Sequence, residues 1–434
     1  MKNDAVDLLS RYIRLNTSNP PGNEHLAVEF LGGILNSKGI RYKVFESAAD
    51  RLSMRAEIKG RGNKKPVIML HHIDVVPANK ADWSFDPFGG EIIDGYICGR
   101  GALDTKSLGI LQLLAFLHIK ESGLPLKRGL ILLATADEES GGRRGVEYLL
   151  KEHPGDFQAE VVLNEGGYVE SGIIPDRLVA TISPGEKGPC WLKLKCQGKT
   201  GHGSVPHGQN ALEHMTLALN RLLKYQPPLY MTPIAFEFLK RLALALGLVK
   251  ASPNEDISEE QLLRAIADSG MSALPQIKAL LHNTISLNML KAGDRINVIP
   301  AYAEALVDMR LLPGQDLRKW LKLIRRKLGD PTIKISTFNT AHGNSSPMDA
   351  ECYRTIEKAL LQHFPGSICV PYLMLGTTDS HFFRERGIPA YGFCPTVVPL
   401  DHLSSVHGLD EKLSVDSLVK GVEVYTDIIR RLCL

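Results

Sequence analysis

Three consecutive acidic residues, Asp137, Glu138 and Glu139, closely follow the apolar run 130–134 and precede a serine and two glycines. A short apolar run bounded by turn residues predicts a buried strand of a parallel sheet. Open α/β sheets form their sites at the carboxyl ends of such strands. Adjacent like charges repel one another unless a cation or raised pKa values relieve the repulsion. The stretch therefore predicts either a cation site or a solvated acidic turn.

A second polar pattern, His72-x-Asp74, lies at the end of the apolar run 66–72. Because side chains alternate along an extended chain, His72 and Asp74 are expected to share one face. A carboxylate placed in this way can orient an imidazole that binds a metal. The pattern alone also fits an ordinary core or surface histidine.

Asp104 precedes a run of apolar residues at helical spacing, 106–121. Its position is typical of a helix N-cap, and the functional alternative is a carboxylate that bridges two cations. Other polar residues stand near the ends of predicted strands or in loops, and we consider them as further candidates: Glu165, His202, Asn297, Arg310 and His407.

Apolar strands alternate with helices up to residue 184, which predicts an α/β fold with a mostly parallel central sheet flanked by helices. The region from about 185 to 341 carries a strongly helical stretch, 234–281. Without that stretch, its pattern predicts the order β-α-β-β-α-β of a ferredoxin-like motif. The pattern of the first region then returns.

The composition narrows the class of protein. The 434 residues are 44% hydrophobic and 23% charged, with a formal net charge of +3. This balance argues against a nucleic-acid or membrane-surface partner. The seven cysteines include no C-x-x-C pair, and the first residues predict an amphipathic helix instead of a signal peptide. We therefore expect a cytoplasmic protein.

The candidate residues belong to a series of short motifs that extends along nearly the whole chain. The ordered motifs are His72-x-Asp74, Gly101-x-x-Asp104, Asp137-Glu138-Glu139, Asn164-Glu165-Gly166, Gly201-His202-Gly203-Ser204, Asn297-Val298-Ile299-Pro300, Asp308-x-Arg310 and His407-Gly408. Together they resemble the M20 family of metallopeptidases, which includes carboxypeptidases, dipeptidases, aminoacylases and acetylornithine deacetylases. The Asn-Glu-Gly-Gly segment and the long helical stretch are most similar to the carboxypeptidase S and N-acyl-amino-acid hydrolase branch.

The resemblance implies a domain organisation. A zinc-exopeptidase-like catalytic domain would comprise residues 1–184 and 342–434. An inserted α+β, ferredoxin-like lid would comprise residues 185–341, with a helical insertion at about 225–283. Members of the family dimerise through the lid, so the resemblance implies a homodimer. Because the helical insertion departs from the usual lid, the oligomeric state stays open.

The resemblance also implies the roles of individual residues. His72 and Glu165 would bind one metal, Glu139 and His407 the other, and Asp104 would bridge the two. Asp74 would orient His72, and Glu138 would be the general base. His202 would polarise the scissile carbonyl, while Asn297 and Arg310 would hold the carboxylate of the substrate. A cis peptide bond is expected at Asp104–Thr105.

These roles predict a dinuclear zinc-dependent hydrolase that cleaves an amide or peptide bond next to a free carboxylate. Carboxypeptidase, dipeptidase and N-acyl-amino-acid deacylase activities fit, with a small-molecule substrate. Two Zn²⁺ ions suit the ligands, and Co²⁺ or Mn²⁺ are alternatives. The competing hypotheses are an amidohydrolase acting on a carbamoyl or ureido group and a non-catalytic binding protein on the same fold.

Overall fold

The computed structural model describes residues 2–250 and 256–434, so part of the predicted helical stretch, 251–255, lies outside the described residues. The chain divides into two compact units. The first contains the residues up to Pro184 together with Ser345–Tyr372 and Thr378–Leu434, and the second contains Gly185–Asn344 with Leu373–Thr377. The assignment of catalytic and lid roles to these parts of the chain stays a prediction.

The first part of the chain supplies most strands of the first unit. Its elements are α1 (Lys2–Ile13), α2 (Glu24–Ser37), β1 (Tyr42–Ala48), β2 (Arg51–Ile58), β3 (Lys64–His72), β4 (Glu91–Ile93), β5 (Tyr96–Cys98), α3 (Lys106–Ser122), β6 (Arg128–Thr135), α4 (Val146–Glu152), β7 (Val161–Asn164), β8 (Val169–Ile174) and β9 (Arg177–Glu186).

The middle and last parts alternate again between strands and helices. The middle elements are β10 (Gly188–Gln197), β11 (Gly201–His202), α5 (Ala211–Leu223), α6 (Pro233–Ala245), α7 (Glu259–Asp268), α8 (Pro275–Leu281), β12 (Thr284–Ala292), β13 (Val298–Ile299), β14 (Tyr302–Leu311), α9 (Leu317–Leu328), β15 (Ile333–Thr340) and β16 (Asn344–Ser345). The last elements are α10 (Glu351–His363), β17 (Ile368–Met374), α11 (Ser380–Arg384), β18 (Ala390–Gly392), β19 (Val397–Pro399), β20 (Lys412–Ser414) and α12 (Val415–Cys433).

The large sheet of the first unit has the strand order β1-β2-β6-β3-β7-β18-β9-β8-β19. Its centre is parallel, because β3 pairs in parallel with β6 and β7, and β18 pairs in parallel with β7. Antiparallel pairs flank this centre on both sides. The prediction of a mostly parallel central sheet is therefore confirmed, and the strands β3, β6 and β7 end at one common edge.

Helices cover both faces of this sheet, as the side chains of β3 show. Val67 and Met69 belong to the apolar cluster that includes Leu111 of α3. Ile68 and Leu70 belong to a separate cluster that includes residues of α4 and α11. Because alternate side chains of a strand point to opposite faces, both faces of β3 are apolar from Val67 to Leu70, before the buried histidines at its end.

The second unit has an antiparallel sheet with the strand order β12-β14-β10-β15. In chain order the main elements are β10, α5, β12, β14, α9 and β15, which is the ferredoxin-like pattern that the sequence predicts. Trp320 and Ile324 of α9 and Met215 of α5 pack against buried residues of the sheet. The helices α6, α7 and α8 form the helical stretch between α5 and β12.

Within the described residues, no helix is both long enough and apolar enough to cross a membrane.

Candidate metal centre

The common edge of β3, β6 and β7 brings the polar residues of three strand ends together. His72 is the last residue of β3 and lies opposite Thr135, the last residue of β6. Glu138 and Glu139 stand in a short 3₁₀ turn that follows β6, and Glu165 directly follows β7. The carboxyl ends of these three parallel strands therefore carry the residues that the sequence predicts for a site.

Asp104 faces two histidines with its two carboxylate oxygens. Its Oδ1 lies 2.9 Å from His72 Nε2, and its Oδ2 lies 3.0 Å from His407 Nε2. The N-cap residue of α3 is Thr105, so Asp104 does not cap the helix. The peptide bond Asp104–Thr105 is cis, as the resemblance implies. A carboxylate that presents one oxygen to each of two imidazoles has the arrangement that a bridging ligand requires.

Two further carboxylates complete the cluster, one beside each histidine. Glu165 Oε1 lies 3.5 Å from His72 Nε2, and Glu139 Oε2 lies 3.1 Å from His407 Nε2. The main-chain N–H of Val76 donates to Oε1 of Glu139 at 3.2 Å. The residues thus form two His-plus-Glu pairs that share Asp104.

The donor atoms lie close enough to hold a divalent ion. Within the described residues, donor atoms of His72, Asp104 and Glu139 lie within 4.8 Å of one another, as do those of His72, Glu138 and Glu165. Imidazole nitrogens together with carboxylate oxygens are ligands that suit Zn²⁺. The residues present therefore fit the metal that the resemblance implies.

The electrostatics of the cluster also favour a cation. Burial raises the pKa of Glu138 and of Glu165 well above the ordinary range of a glutamic acid. Hydrogen bonds with Asp104 and Glu139 raise the pKa of His407 to about 10. Neighbouring carboxylates add to the rise in the pKa of Glu138 and Glu165, and a bound cation would relieve this repulsion. Because metal ligands must be deprotonated, a bound ion would displace protons from its ligands.

Asp74 supports the site in a different way from the one that the sequence predicts. The closest acceptor for His72 Nδ1 is the main-chain carbonyl oxygen of Asp74, at 2.9 Å, whereas the Asp74 carboxylate lies 3.7 Å away. That carboxylate accepts the main-chain N–H groups of Glu138 and Glu139, each at 3.2 Å, and the amide of Asn19 at 2.8 Å. Asp74 therefore orients His72 through its carbonyl group and holds the acidic turn through its side chain.

Asp137, the first of the three acids, faces away from the metal donors. Its carboxylate accepts hydrogen bonds from the buried guanidinium of Arg51 and from the main-chain N–H of Arg144. Asp137 is 5% exposed and has a φ of 70°. The three adjacent acids therefore do not form one solvated turn, because Asp137 and Glu139 have separate partners.

Asp379 is a buried carboxylate of this region to which the sequence analysis gives no role. The hydroxyl of Thr135 donates to its Oδ2 at 2.9 Å. Burial raises the pKa of Asp379 to about 7. The only signal in the sequence is that Asp379 belongs to a polar run, 377–381, between two apolar segments.

The remaining predicted residues belong to the second unit. His202 of β11 pairs with Val298 of β13, and the N–H of Gly203 donates to the carbonyl of Asn297 at 2.8 Å. The structure therefore brings His202 and Asn297 together. His202 Nδ1 lies 2.7 Å from the hydroxyl of Ser204, which orients the ring.

Arg310 lies near the end of β14 and is held by a neighbour on its own strand. Its Nε and Nη2 donate to the two oxygens of Asp308 at 2.8 and 3.1 Å. Its Nη1 donates to the hydroxyl of Thr377 at 3.3 Å. These contacts fix the plane of the guanidinium group.

A parallel-centred sheet with histidines and carboxylates gathered at its carboxyl edge, in a chain with an inserted ferredoxin-like unit, fits a metal-dependent hydrolase. The comparison with protein families specifies the class further. The chain belongs to peptidase family M20/M25/M40, whose family model matches residues 68–431. The predicted family and the prediction of a hydrolytic enzyme are confirmed.

Two relatives and one solved structure illustrate the similarity. The chain is 30% identical over 378 residues to the N-fatty-acyl-amino acid synthase/hydrolase PM20D1 of Homo sapiens, covering 84% of this chain and 74% of that protein. It is 27% identical over 440 residues to aminoacylase-1 of Sus scrofa, covering 99% and 95%. The fold is similar to that of the M20 family metallo-carboxypeptidase Sso-CP2 of Sulfolobus solfataricus, with a TM-score of 0.77, 19% identity, and coverage of 99% and 98%.

Proposed function

We propose that this chain is a dinuclear zinc hydrolase that cleaves the amide bond of N-acyl amino acids. The observation that carries the proposal is the Asp104 carboxylate, which faces His72 and His407 with separate oxygens. The relatives named as an N-fatty-acyl-amino acid hydrolase and as an aminoacylase support this substrate class. An N-acyl amino acid carries a free carboxylate beside the scissile amide, as the predicted chemistry requires.

Five residues would hold the two ions. His72 and Glu165 would bind one, His407 and Glu139 the other, and Asp104 would contribute one oxygen to each. Zinc ions held there would polarise the scissile carbonyl group and lower the pKa of the attacking water. The three ligand carboxylates would offset three of the four positive charges of two divalent ions, and the charge that remains on this ligand set would favour an incoming carbonyl oxygen.

Glu138 is the residue that we assign to proton transfer. The turn that carries it is held by the Asp74 carboxylate, which accepts the N–H groups of Glu138 and Glu139. Glu138 would take a proton from the attacking water and give it to the leaving nitrogen of the amino acid. Such general acid–base catalysis typically contributes about 10²–10⁴ in rate.

The residues of the second unit would bind the substrate. His202, whose Nδ1 is engaged by Ser204, would donate from Nε2 to the carbonyl oxygen as negative charge develops on it. Asn297 and Arg310 would hold the substrate carboxylate, because a planar guanidinium can donate two parallel hydrogen bonds to it. The pair with Asp308 would keep Arg310 oriented for this contact.

Replacement of Arg310 by lysine is expected to raise KM for a carboxylate-bearing substrate more than it changes kcat, with zinc content unchanged. Lysine keeps the charge but cannot donate two parallel hydrogen bonds to one carboxylate, as the planar guanidinium can. The measurement is steady-state kinetics beside metal analysis. Arg318→Lys, at an exposed position of α9, is the matched control. Unchanged kinetics in Arg310→Lys would remove Arg310 from the binding site.

Zinc is expected to stabilise the protein against heat after treatment with a chelator. The bound ions relieve the repulsion among buried carboxylates, and a ligand present at a thousand times its Kd stabilises by about 4.1 kcal/mol. Calorimetry with and without zinc measures the shift in Tm, and Mg²⁺, which prefers all-oxygen sites, serves as the control. Equal Tm values in zinc and in chelator would contradict a zinc centre.

A substrate panel tests the proposed function itself. We expect the highest kcat/KM with N-acyl amino acids, lower values with dipeptides, and the lowest with ureido acids. The matched control is the same N-acyl amino acid with its carboxylate masked as an amide, which should be a poor substrate because Arg310 loses its partner. Hydrolysis of ureido acids alone would favour the carbamoyl-type amidohydrolase instead.

A further inference from the structure

Glu411 is a buried carboxylate outside the set of proposed ligands. It accepts hydrogen bonds from the main chain of the loop that carries Asp104. Its side chain is 0% exposed. Oε1 accepts the main-chain N–H groups of Leu103 and Asp104 at 2.6 and 2.9 Å, and Oε2 accepts the N–H of Gly101 at 3.0 Å. A carboxylate in the interior of the first unit thus fixes residues 101–104 of this loop through three main-chain N–H groups.

Arg100 connects the same carboxylate to the loop that carries His407. Its Nη1 donates to Oε2 of Glu411 at 2.7 Å, and its Nη2 donates to the carbonyl oxygen of Gly408 at 2.7 Å. Arg100 is 2% exposed, and its guanidinium lies over the ring of Trp83, 5.0 Å from the ring centroid. One buried ion pair therefore joins the residue that follows His407 to the backbone of Asp104.

His407 is more exposed than His72 and lies outside the strands of the sheet. Its side chain is 55% exposed, and its backbone has a φ of 57° in a loop without regular structure. By contrast, His72 is the last residue of a central strand and is buried. Besides the direct contacts of its ring with Asp104 and Glu139, the position of His407 is supported by the chain of contacts from Gly408 through Arg100 and Glu411.

We propose that Glu411 and Arg100 are positioning residues that set the affinity of one metal position, the one formed by His407, Glu139 and Asp104. The inference rests on the proposed function, because it assumes that these three residues are ligands. The other position, formed by His72, Glu165 and the second oxygen of Asp104, takes two of its three ligands from strand ends and depends less on the pair. Loss of the pair should therefore weaken the zinc ion beside His407 more than the other.

Glu411→Gln tests the inference in the full-length protein. Glutamine keeps the shape but turns an NH₂ group toward main-chain or guanidinium donors. Zinc stoichiometry and the two Kd values are measured by competition with a chelator of known affinity. We expect one zinc to bind about 10–100-fold more weakly, the range seen when partners of metal ligands are altered, and the other to change far less. Added zinc should restore kcat without a change in KM for substrate.

Two further variants keep the result interpretable. Glu170→Gln is the matched control, because Glu170 is a largely buried carboxylate of β8 that accepts from Thr181 at 3.1 Å and is itself part of neither ligand loop. It should leave both zinc affinities unchanged. Arg100→Lys removes the guanidinium group that donates to both Glu411 and Gly408. It should weaken the same zinc ion even where Glu411→Gln fails to fold.

The outcomes separate the inference from the proposed function. If the wild-type protein binds two zinc ions and the Glu411 and Arg100 variants bind both with wild-type affinity, the positioning role is overturned while the proposed function stands. A fall in Tm with unchanged zinc affinities has the same meaning, since it shows a structural role only. If the wild-type protein binds fewer than two zinc ions, the dinuclear function and the positioning role fail together.

Discussion

Glu138→Gln is expected to lower kcat by about 10²–10⁴ while KM and zinc content stay nearly unchanged. Glutamine has the shape of glutamate but cannot accept a proton from the attacking water. The substitution therefore removes stabilisation of the transition state and leaves substrate binding in place. The measurement combines steady-state kinetics on an N-acyl amino acid with zinc analysis of the same preparation.

Glu139→Ala is the matched comparison, because Glu139 is the next residue in the same turn. Its Oε2 lies 3.1 Å from His407 Nε2, so we assign it to the metal and expect the alanine variant to lose one zinc ion. Donor atoms of Glu138 also lie within 4.8 Å of those of His72 and Glu165. If Glu138→Gln loses zinc while Glu139→Ala retains both ions, the two roles are reversed.

Asp104→Ala is expected to lower kcat/KM by more than a factor of about 100. That factor is the upper end of the loss seen when residues that hydrogen-bond to metal ligands are replaced. Both proposed ions share this carboxylate, and its removal leaves His72 and His407 without their common partner. Zinc stoichiometry should fall below two at zinc concentrations that saturate the wild-type protein.

Asp316→Ala is the control for this substitution. Asp316 caps α9 in the second unit by accepting the N–H of Lys319 at 3.0 Å, so its removal should cost only about 1 kcal/mol of stability. Activity and zinc content should remain. An Asp104→Ala enzyme that keeps two zinc ions and more than a tenth of its activity would contradict the bridging role.

Local sequence patterns predict the part of the site that the sheet itself builds. His72 and Glu165 end or follow buried strands, and the acids 137–139 follow a third, so one rule of α/β sheets places them at one edge. Asp104 and His407 follow no such rule. The position of Asp104 favours a helix cap, and only the resemblance to a family assigns it to a bridge.

Contacts between distant parts of the chain could not be read from the sequence. Arg51 and its partner Asp137 are 86 residues apart, and Glu411 lies 307 residues beyond the N–H of Asp104 that it accepts. No periodicity or turn signal links such positions. The atom that Asp74 uses toward His72 was also beyond prediction, because it depends on how the chain turns after β3.

The pair of Asp308 and Arg310 is a different case. The two residues are two positions apart on β14, so alternation along a strand places them on one face. Their ion pair could therefore have been predicted from spacing alone. It matters for function because it fixes the guanidinium plane that we propose to meet the substrate carboxylate.

The most direct test of the account is anomalous diffraction at the zinc absorption edge from crystals of the zinc-loaded protein. The account predicts two zinc ions about 3.5–4 Å apart, one beside His72 and Glu165 and the other beside His407 and Glu139, with an oxygen of Asp104 on each. A single zinc ion, or a zinc ion bound directly by Glu138 in place of Glu139, would contradict it.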